Sequence, residues 1–328
     1  MSEAGSRPPA SAAWRPRPER SNLLMLRVMS WISLRLGRSA GRCVLYGIAA
    51  YFLLANAAAR RASRDYLRRV LNLPGTAGVG WRPVFRHFLS FAAVIHDRVY
   101  LINDRFHLFD IRIHQEHLVA GLTAAHKGVF LMGAHAGSFE VLRAVGRQQP
   151  GLRVAMVMYE ENARKLNAAL RAINPAAQQD IIPLGRADSM LRVHELLEGG
   201  SVVGMLADRC LNRDTTRPVS FLGQPAEFPV GPFRMAAILR RPVLFMVGLY
   251  HGNNRYDIHF ETLADFSAIP AGGRDAAVQA AMARYAQLLE QHCRAAPYNW
   301  FNFFDFWQAG KPLPAANPDL SHDPRFLS

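Results

Sequence analysis

From residue 128 onward, short apolar runs alternate with amphipathic helical segments, which points to an α/β fold with a mixed sheet flanked by helices. The last two apolar runs are separated only by the turn-forming stretch Gly252-Asn253-Asn254, so they read as an antiparallel hairpin inside that sheet. Before residue 119 the pattern is helical instead, around a hydrophobic run with arginine on both flanks. The expected organisation is a tail over 1–20, a helical membrane-docking region over 21–118, an α/β domain over 119–312 and a second tail over 313–328.

Residues 1–20 are rich in Pro, Ala and Arg, a composition that favours disorder. Cys43 to Ala59 is a run of 17 uncharged residues. A membrane-spanning helix needs about 20 apolar residues, with roughly 17 at the short end. Eight arginines precede the run, and Arg60, Arg61, Arg64, Arg68 and Arg69 follow it. A span carries its basic excess mainly on one side, whereas Arg on both flanks suits a helix lying in the interface against anionic lipid. Interfacial docking is therefore expected, with a span and an ordinary buried helix as the other readings. Removing residues 1–61 is expected to leave a largely soluble α/β domain. Residues 62–118 read as helical, with amphipathic stretches around Ser63–Leu73 and Pro83–Leu101.

Strands are expected at 128–134, 153–159, 180–184, 201–207, 243–251 and 255–262. Helices are expected at 138–147, 160–173, 187–198, 231–240 and 274–295. Gly199-Gly200 provides a helix stop.

The chain of 328 residues carries a net charge of +14, with 36 Arg and only three Lys. Residues 1–70 hold 13 Arg, no Lys and three acids, a net +10, which leaves +4 for the rest. Such a basic segment suits an acidic partner. Nucleic-acid binders spread basic residues over a reading surface with stacking aromatics. Here the charge sits among apolar residues, which favours lipid and argues against nucleic acid. Cys43, Cys210 and Cys293 are an odd, scattered set, which fits a reducing compartment. Neither G-x-G-x-x-G nor G-K-[ST] is present, so nucleotide binding has no motif support. His114 and His117 have i,i+3 spacing without a third ligand in the neighbouring sequence.

The chemistry-bearing stretch is His135-Ala136-Gly137-Ser138-Phe139-Glu140, directly after the apolar run Gly128–Ala134. It reads as a strand end, a glycine turn and a helix start capped by Ser138. Ligands of open α/β sheets bind at such strand ends. On one continuous helix His135 and Glu140 would be roughly 140° apart, at about 3.6 residues per turn. Across a strand–turn–helix junction they can face each other. A neutral imidazole removes a hydroxyl proton near neutral pH, and a carboxylate fixes its tautomer. No serine or cysteine nucleophile is needed if the substrate brings the hydroxyl. Backbone amides near Ser138 are expected to stabilise an oxyanion. The other reading is a structural histidine beside an exposed helix glutamate.

Four stretches, in order, resemble the lysophospholipid acyltransferase superfamily, nearest to the bacterial late acyltransferases of lipid A biosynthesis. GAHAGSFE matches the family's His–x4–acid block. Gly204-Met205-Leu206-Ala207-Asp208-Arg209 resembles its strand ending in Asp and a basic or polar residue. Phe221-Leu222-Gly223, followed by Pro229-Val230-Gly231-Pro232, resembles its F-x-G…P-x-G loop. Arg241-Pro242-Val243-Leu244 resembles the entry to the next strand. The resemblance implies a glycerolipid acyltransferase-like fold and an O-acyltransferase at the cytoplasmic face of the inner membrane. A fatty acyl thioester on acyl carrier protein or coenzyme A would be the donor, and a lipid or glycolipid hydroxyl the acceptor. It makes His135 the general base and Glu140 its support, with Asp208, Arg209, Gly137, Ser138, Gly223 and Gly231 at the substrate, and implies neither metal nor cofactor. Arg209 would bind phosphate, or alternatively pair with Asp208 or Asp214. The stretch Pro297–Trp307 is aromatic and lacks Arg and Lys, where lipid A members often have a basic cluster. It reads either as core packing or as an acyl-groove wall or membrane contact. The rival functions are a hydrolase using water at the same pair and a non-catalytic basic membrane adaptor.

Overall fold

A computed structural model describes residues 20–74, 78–125, 128–141, 153–174, 180–185, 188–210 and 214–307. Three helices come first: α1 (Arg20–Ala55), α2 (Ala57–Val70) and α3 (Trp81–Ile102). Gly37 interrupts α1 with φ 84°, a left-handed conformation open to glycine. At the α1–α2 corner Asn56 caps α2 by accepting from the Ala59 amide at 2.9 Å. Arg60 reaches back to the last carbonyls of α1, Leu53 and Leu54, at 2.6 and 2.8 Å.

Among the described residues, the remaining strands and α-helices are β1 (Asp110–His114), α4 (Glu116–Ala124), β2 (Val129–Gly133), β3 (Val154–Tyr159), α5 (Glu160–Ile173), β4 (Asp180–Leu184), α6 (Ser189–Glu198), β5 (Val202–Leu206), β6 (Thr216–Phe221), β7 (Gln224–Pro229), α7 (Gly231–Ile238), β8 (Pro242–Tyr250), β9 (Arg255–Asp265) and α8 (Arg274–Ala295). Seven strands form one sheet in the order β1-β9-β8-β2-β5-β3-β4, and β6–β7 form a separate hairpin. Only the β8–β9 pair is antiparallel; every other neighbouring pair in the large sheet is parallel. The sheet is therefore mixed, as the hairpin signal implies. The central strands β2 and β5 are buried almost throughout, which is why they read as continuous apolar runs.

Two expectations need correction. Residues 62–118 are not helical throughout, because Asp110–His114 is an edge strand paired in parallel with β9. The β6–β7 hairpin interrupts what reads as a loop; its turn residues Leu222 and Gly223 both have positive φ, 50° and 80°, as a type I′ turn requires. The helix expected over 138–147 lies largely outside the described residues; of the residues described there, Phe139 forms a bend and Glu140–Val141 a turn.

The N-terminal helices belong to the same hydrophobic core as the sheet. Ala49 of α1, Tyr66 and Leu67 of α2, and Val84, Phe88 and Tyr100 of α3 are buried with Phe130, Phe245 and Trp300. A buried carboxylate ties them together. Asp97 on α3 accepts from Arg38 at 2.7 and 2.9 Å, from Arg42 at 3.1 Å and from the Tyr256 hydroxyl of β9 at 2.9 Å. Arg42 also donates to the Tyr250 hydroxyl at 2.7 Å. Two arginines of the basic flank thus hold α1 onto the protein. Removing residues 1–61 would leave the buried Asp97 without either arginine.

No single described helix is long and apolar enough to cross a membrane. Ser33–Ala55 and Ala57–Val70 pass that test only as a pair bent by 97°. The outer face of α1 exposes Trp31 (62%), Leu36 (68%), Tyr46 (57%) and Leu54 (78%), and Trp81 at the start of α3 is also exposed.

Removing one partner of a buried ion pair leaves the other charges unmatched. Asp97→Ala is expected to lower stability by about 3–5 kcal/mol, read in chemical denaturation, and to open α1 to protease. An unchanged midpoint with α1 still protected would show that the arginine clamp contributes nothing.

Candidate active site

Register alone brings the two key side chains together. Gly133 at the end of β2 is paired with Leu206 at the end of β5. His135 and Asp208 each lie two residues beyond those positions, on adjacent parallel strands. The ladder continues one step further, with the Ala207 amide donating to the Gly133 carbonyl at 3.0 Å. The Tyr285 hydroxyl of α8 donates to that same carbonyl at 2.8 Å and fixes the strand end.

Asp208 is fully buried. Its Oδ1 is 2.7 Å from His135 Nδ1. Its Oδ2 accepts from the His135 backbone amide at 3.0 Å, Trp300 Nε1 at 2.9 Å and Asn302 Nδ2 at 3.2 Å. Burial alone would raise this carboxyl group, but His135, Arg209 and the backbone bond outweigh it and hold it at about 2. An ionised carboxylate at Nδ1 favours the tautomer with its proton on Nδ1, leaving Nε2 as an acceptor. Burial and the nearby Arg209 and Arg98 charges push the His135 pKa below 6.5, with Asp208 opposing them. The imidazole is therefore neutral at neutral pH, and 31% of its side chain remains exposed.

The loop carrying His135 is fastened on both sides. On one side the Gly137 amide donates to the Asn299 carbonyl and the Phe301 amide to the His135 carbonyl, both at 2.8 Å. On the other, the Ser138 amide donates to the Gly248 carbonyl of β8 at 2.8 Å. Gly137 has φ 60°, and a Cβ there would collide with that Gly248 carbonyl, so glycine is required twice over. The amides of Gly137 and Ser138 thus already have backbone partners and are not free to serve as the oxyanion donors expected near Ser138. The Ser138 hydroxyl is buried and has no hydrogen-bond partner among the described residues, His135 included.

Glu140 is buried, with Oε1 3.5 Å from Arg98 Nε on α3. The carboxylate on the imidazole nitrogen is thus that of Asp208, whereas the sequence spacing directs attention to Glu140. Arg209 pairs with neither Asp208 nor Asp214 by a direct hydrogen bond. Its Nε donates to Asn302 Oδ1 at 2.7 Å, its Nη2 donates to the Phe301 carbonyl at 3.0 Å, and its guanidinium lies 5.6 Å from the Phe304 ring centroid. Asn302 therefore bridges the acid and the base of the Asp208-Arg209 pair. Gly223 is the hairpin-turn glycine, and Gly231 opens α7 ahead of Pro232. Open space surrounds both.

Sequence reasoning did not single out Asn299, Trp300 and Asn302. Their only signal is polar residues recurring within the aromatic run Pro297–Trp307, where a pure packing segment would need none. Trp300 is completely buried between Tyr66, Phe221 and Phe306, with ring centroids 4.8–5.2 Å away. His87 of α3 lies beneath the same segment, 2.9 Å from both the Ser63 hydroxyl and the Trp300 carbonyl. Burial pushes its pKa down to about 4, so it stays neutral. Asn299–Phe303 are core packing that also delivers two donors to the site, whereas Tyr298, Phe304, Phe306 and Trp307 are only half-buried.

A comparison with protein families matches residues 26–309 to the bacterial lipid A biosynthesis acyltransferases. No curated protein matches the chain. The matched span includes His135, Asp208 and the Asn299–Asn302 segment that joins them. On that match the chain belongs to the bacterial lipid A biosynthesis acyltransferase family and is an acyltransferase.

Proposed function

We propose that the protein transfers a fatty acyl chain from a thioester, on acyl carrier protein or coenzyme A, to a hydroxyl of a lipid or glycolipid, with His135 as general base. The observation that carries this reading is the 2.7 Å contact between His135 Nδ1 and the buried Asp208, with the histidine still partly open to solvent. Nε2 takes the proton of the acceptor hydroxyl, and the alkoxide oxygen attacks the thioester carbonyl carbon. The tetrahedral intermediate collapses, the C–S bond breaks, and the imidazolium returns its proton to the leaving thiolate. Asp208 stabilises the imidazolium while it exists. Glu140 acts in this reading through Arg98, whose charge helps keep His135 neutral in the resting state. The guanidinium of Arg209, held beside His135, offers positive charge to the thioester oxyanion or to a phosphate on donor or acceptor. A covalent route through Ser138 has no support, because its hydroxyl makes no bond to the base that would activate it.

The exposed Trp31, Leu36, Tyr46 and Leu54 would enter the interfacial layer of an anionic membrane, aromatic side chains at headgroup depth. This suits docking at the cytoplasmic face of the inner membrane, where a lipid acceptor and a carrier-bound donor can meet.

Loss of a general base costs typically 10²–10⁴-fold in rate. His135→Ala and Asp208→Asn should each lose about that much acyl transfer from a labelled thioester, with circular dichroism unchanged. Glu140→Gln should lose less; a larger loss than in Asp208→Asn would return the supporting role to Glu140. Because the His135 pKa is lowered, the acid limb of transfer should be centred below 6.5. An acid limb centred at or above 6.5 would remove His135 as the base.

Membrane docking is tested by flotation. The full chain should float with vesicles containing anionic lipid, and Trp31→Ser with Leu54→Ser should reduce the bound fraction severalfold. Undiminished flotation would move the docking surface elsewhere.

A further inference from the structure

A second cluster of chemistry-bearing side chains lies on β1 and β9, with β8 between it and the His135 loop. The parallel β1–β9 register sets His114 beside His259 and Arg112 beside Asp257. Asp257 and His259 are two residues apart on β9, so they share one face of the sheet. The His114 and His259 rings are stacked, with centroids 4.4 Å apart and planes 6° from parallel. One ligand atom from each of His114, Asp257 and His259 can be chosen so that all lie within 4.8 Å of one another. The sequence spacing draws attention to His114 and His117. The residues that join His114 instead come from a strand more than 140 positions away, which only the sheet register reveals.

We propose that His114, His259 and Asp257 form a binding site for a divalent transition cation of the zinc type. The donor set is two imidazoles and one carboxylate, the three-protein-ligand arrangement that zinc accepts together with water. Imidazole-rich sets select such ions over magnesium and calcium, which take oxygen ligands. Nitrogen and oxygen ligands lie about 2.0–2.2 Å from zinc, so the three atoms must draw together by side-chain rotation alone. His114 is 46% exposed, which leaves it free to turn and gives the ion an entry path and a position for water. Asp257 is only 8% exposed and is the fixed point of the site.

The resident competitor is Arg255. Its Nε and Nη2 lie 3.1 and 2.8 Å from the two Asp257 oxygens, and its side chain is 43% exposed. The cation must displace this guanidinium, which can swing into solvent. His251 Nε2 rests 3.4 Å from Asp257 Oδ2 and helps hold the carboxylate in place. Behind the site, the His259 ring packs against His292, which is 2.6 Å from Glu261 and keeps His259 from rotating away. A bound ion would fasten edge strand β1, the element that joins the N-terminal helices to the sheet, onto β9. The acyl-transfer residues are not part of it.

The test is a zinc titration of the purified full chain against a competing chromophoric indicator, with thermal melting as a second readout. The wild type should bind one more zinc equivalent than a His114→Ala/His259→Ala double variant, and its melting temperature should rise with zinc where that of the double variant does not. Each single variant should bind at least tenfold more weakly, His114→Ala being the conservative case because His114 is exposed. Arg255→Ala should bind more tightly than wild type, since the competing charge is gone; this sign separates the site from adventitious binding by other histidines. Magnesium at the same concentration should do nothing. Zinc binding that is equal in the wild type and the double variant, or weaker in Arg255→Ala, or matched by magnesium, would overturn the proposal.

Discussion

Asp208 sits without solvent exposure and accepts four hydrogen bonds: two from His135, one from Trp300 and one from Asn302. A buried carboxylate is costly unless its lone pairs are filled. Here the groups that fill them are the same groups that build the site. The histidine is oriented because Asp208 needs a donor on Oδ1. The C-terminal segment closes over the strand ends because Oδ2 needs donors that β2 and β5 do not supply. Arg209 is fixed because Asn302, once bonded to Asp208, presents its oxygen to the guanidinium.

That arrangement ties the candidate active site to the N-terminal helices. Trp300 is packed by Tyr66 of α2, and its carbonyl is bonded by His87 of α3, which in turn meets Ser63 of α2. Arg98, which faces Glu140, lies one position after Asp97, which clamps α1. The N-terminal helix unit, with its exposed apolar side chains, is therefore continuous, through side chains already named, with the loop that presents His135. Its location also explains why α2 and α3 carry buried polar residues on otherwise apolar faces.

The sequence announces the central sheet clearly because its strands are buried on both faces and read as unbroken apolar runs. The bounds of α5 and α8 coincide with the expected 160–173 and 274–295. Strand β1 is obscured because Asp110–His114 is a half-exposed edge whose short alternation is lost among helical neighbours. The β6–β7 turn is obscured because Leu222 takes a left-handed conformation usually reserved for Gly, Asn or Asp. At the site, the strand-end positions of His135 and Asp208 are legible, since both follow apolar runs directly. Their contact is not, because it depends on which strands are neighbours and in what register. The donors from Trp300 and Asn302 are hidden for the same reason, lying 92 and 94 residues from Asp208 in the chain.

The central claim is that Asp208 fixes the tautomer of a neutral His135, with its proton on Nδ1 and Nε2 free to accept. Nitrogen NMR of the full chain labelled at histidine, with the His135 signals assigned by their loss in His135→Ala, reads this directly. The account predicts an Nδ1-protonated ring at pH 7, titrating below 6.5, and loss of that tautomer preference in Asp208→Asn. A ring protonated on Nε2 at pH 7, or the same tautomer with Asp208 replaced, would contradict it.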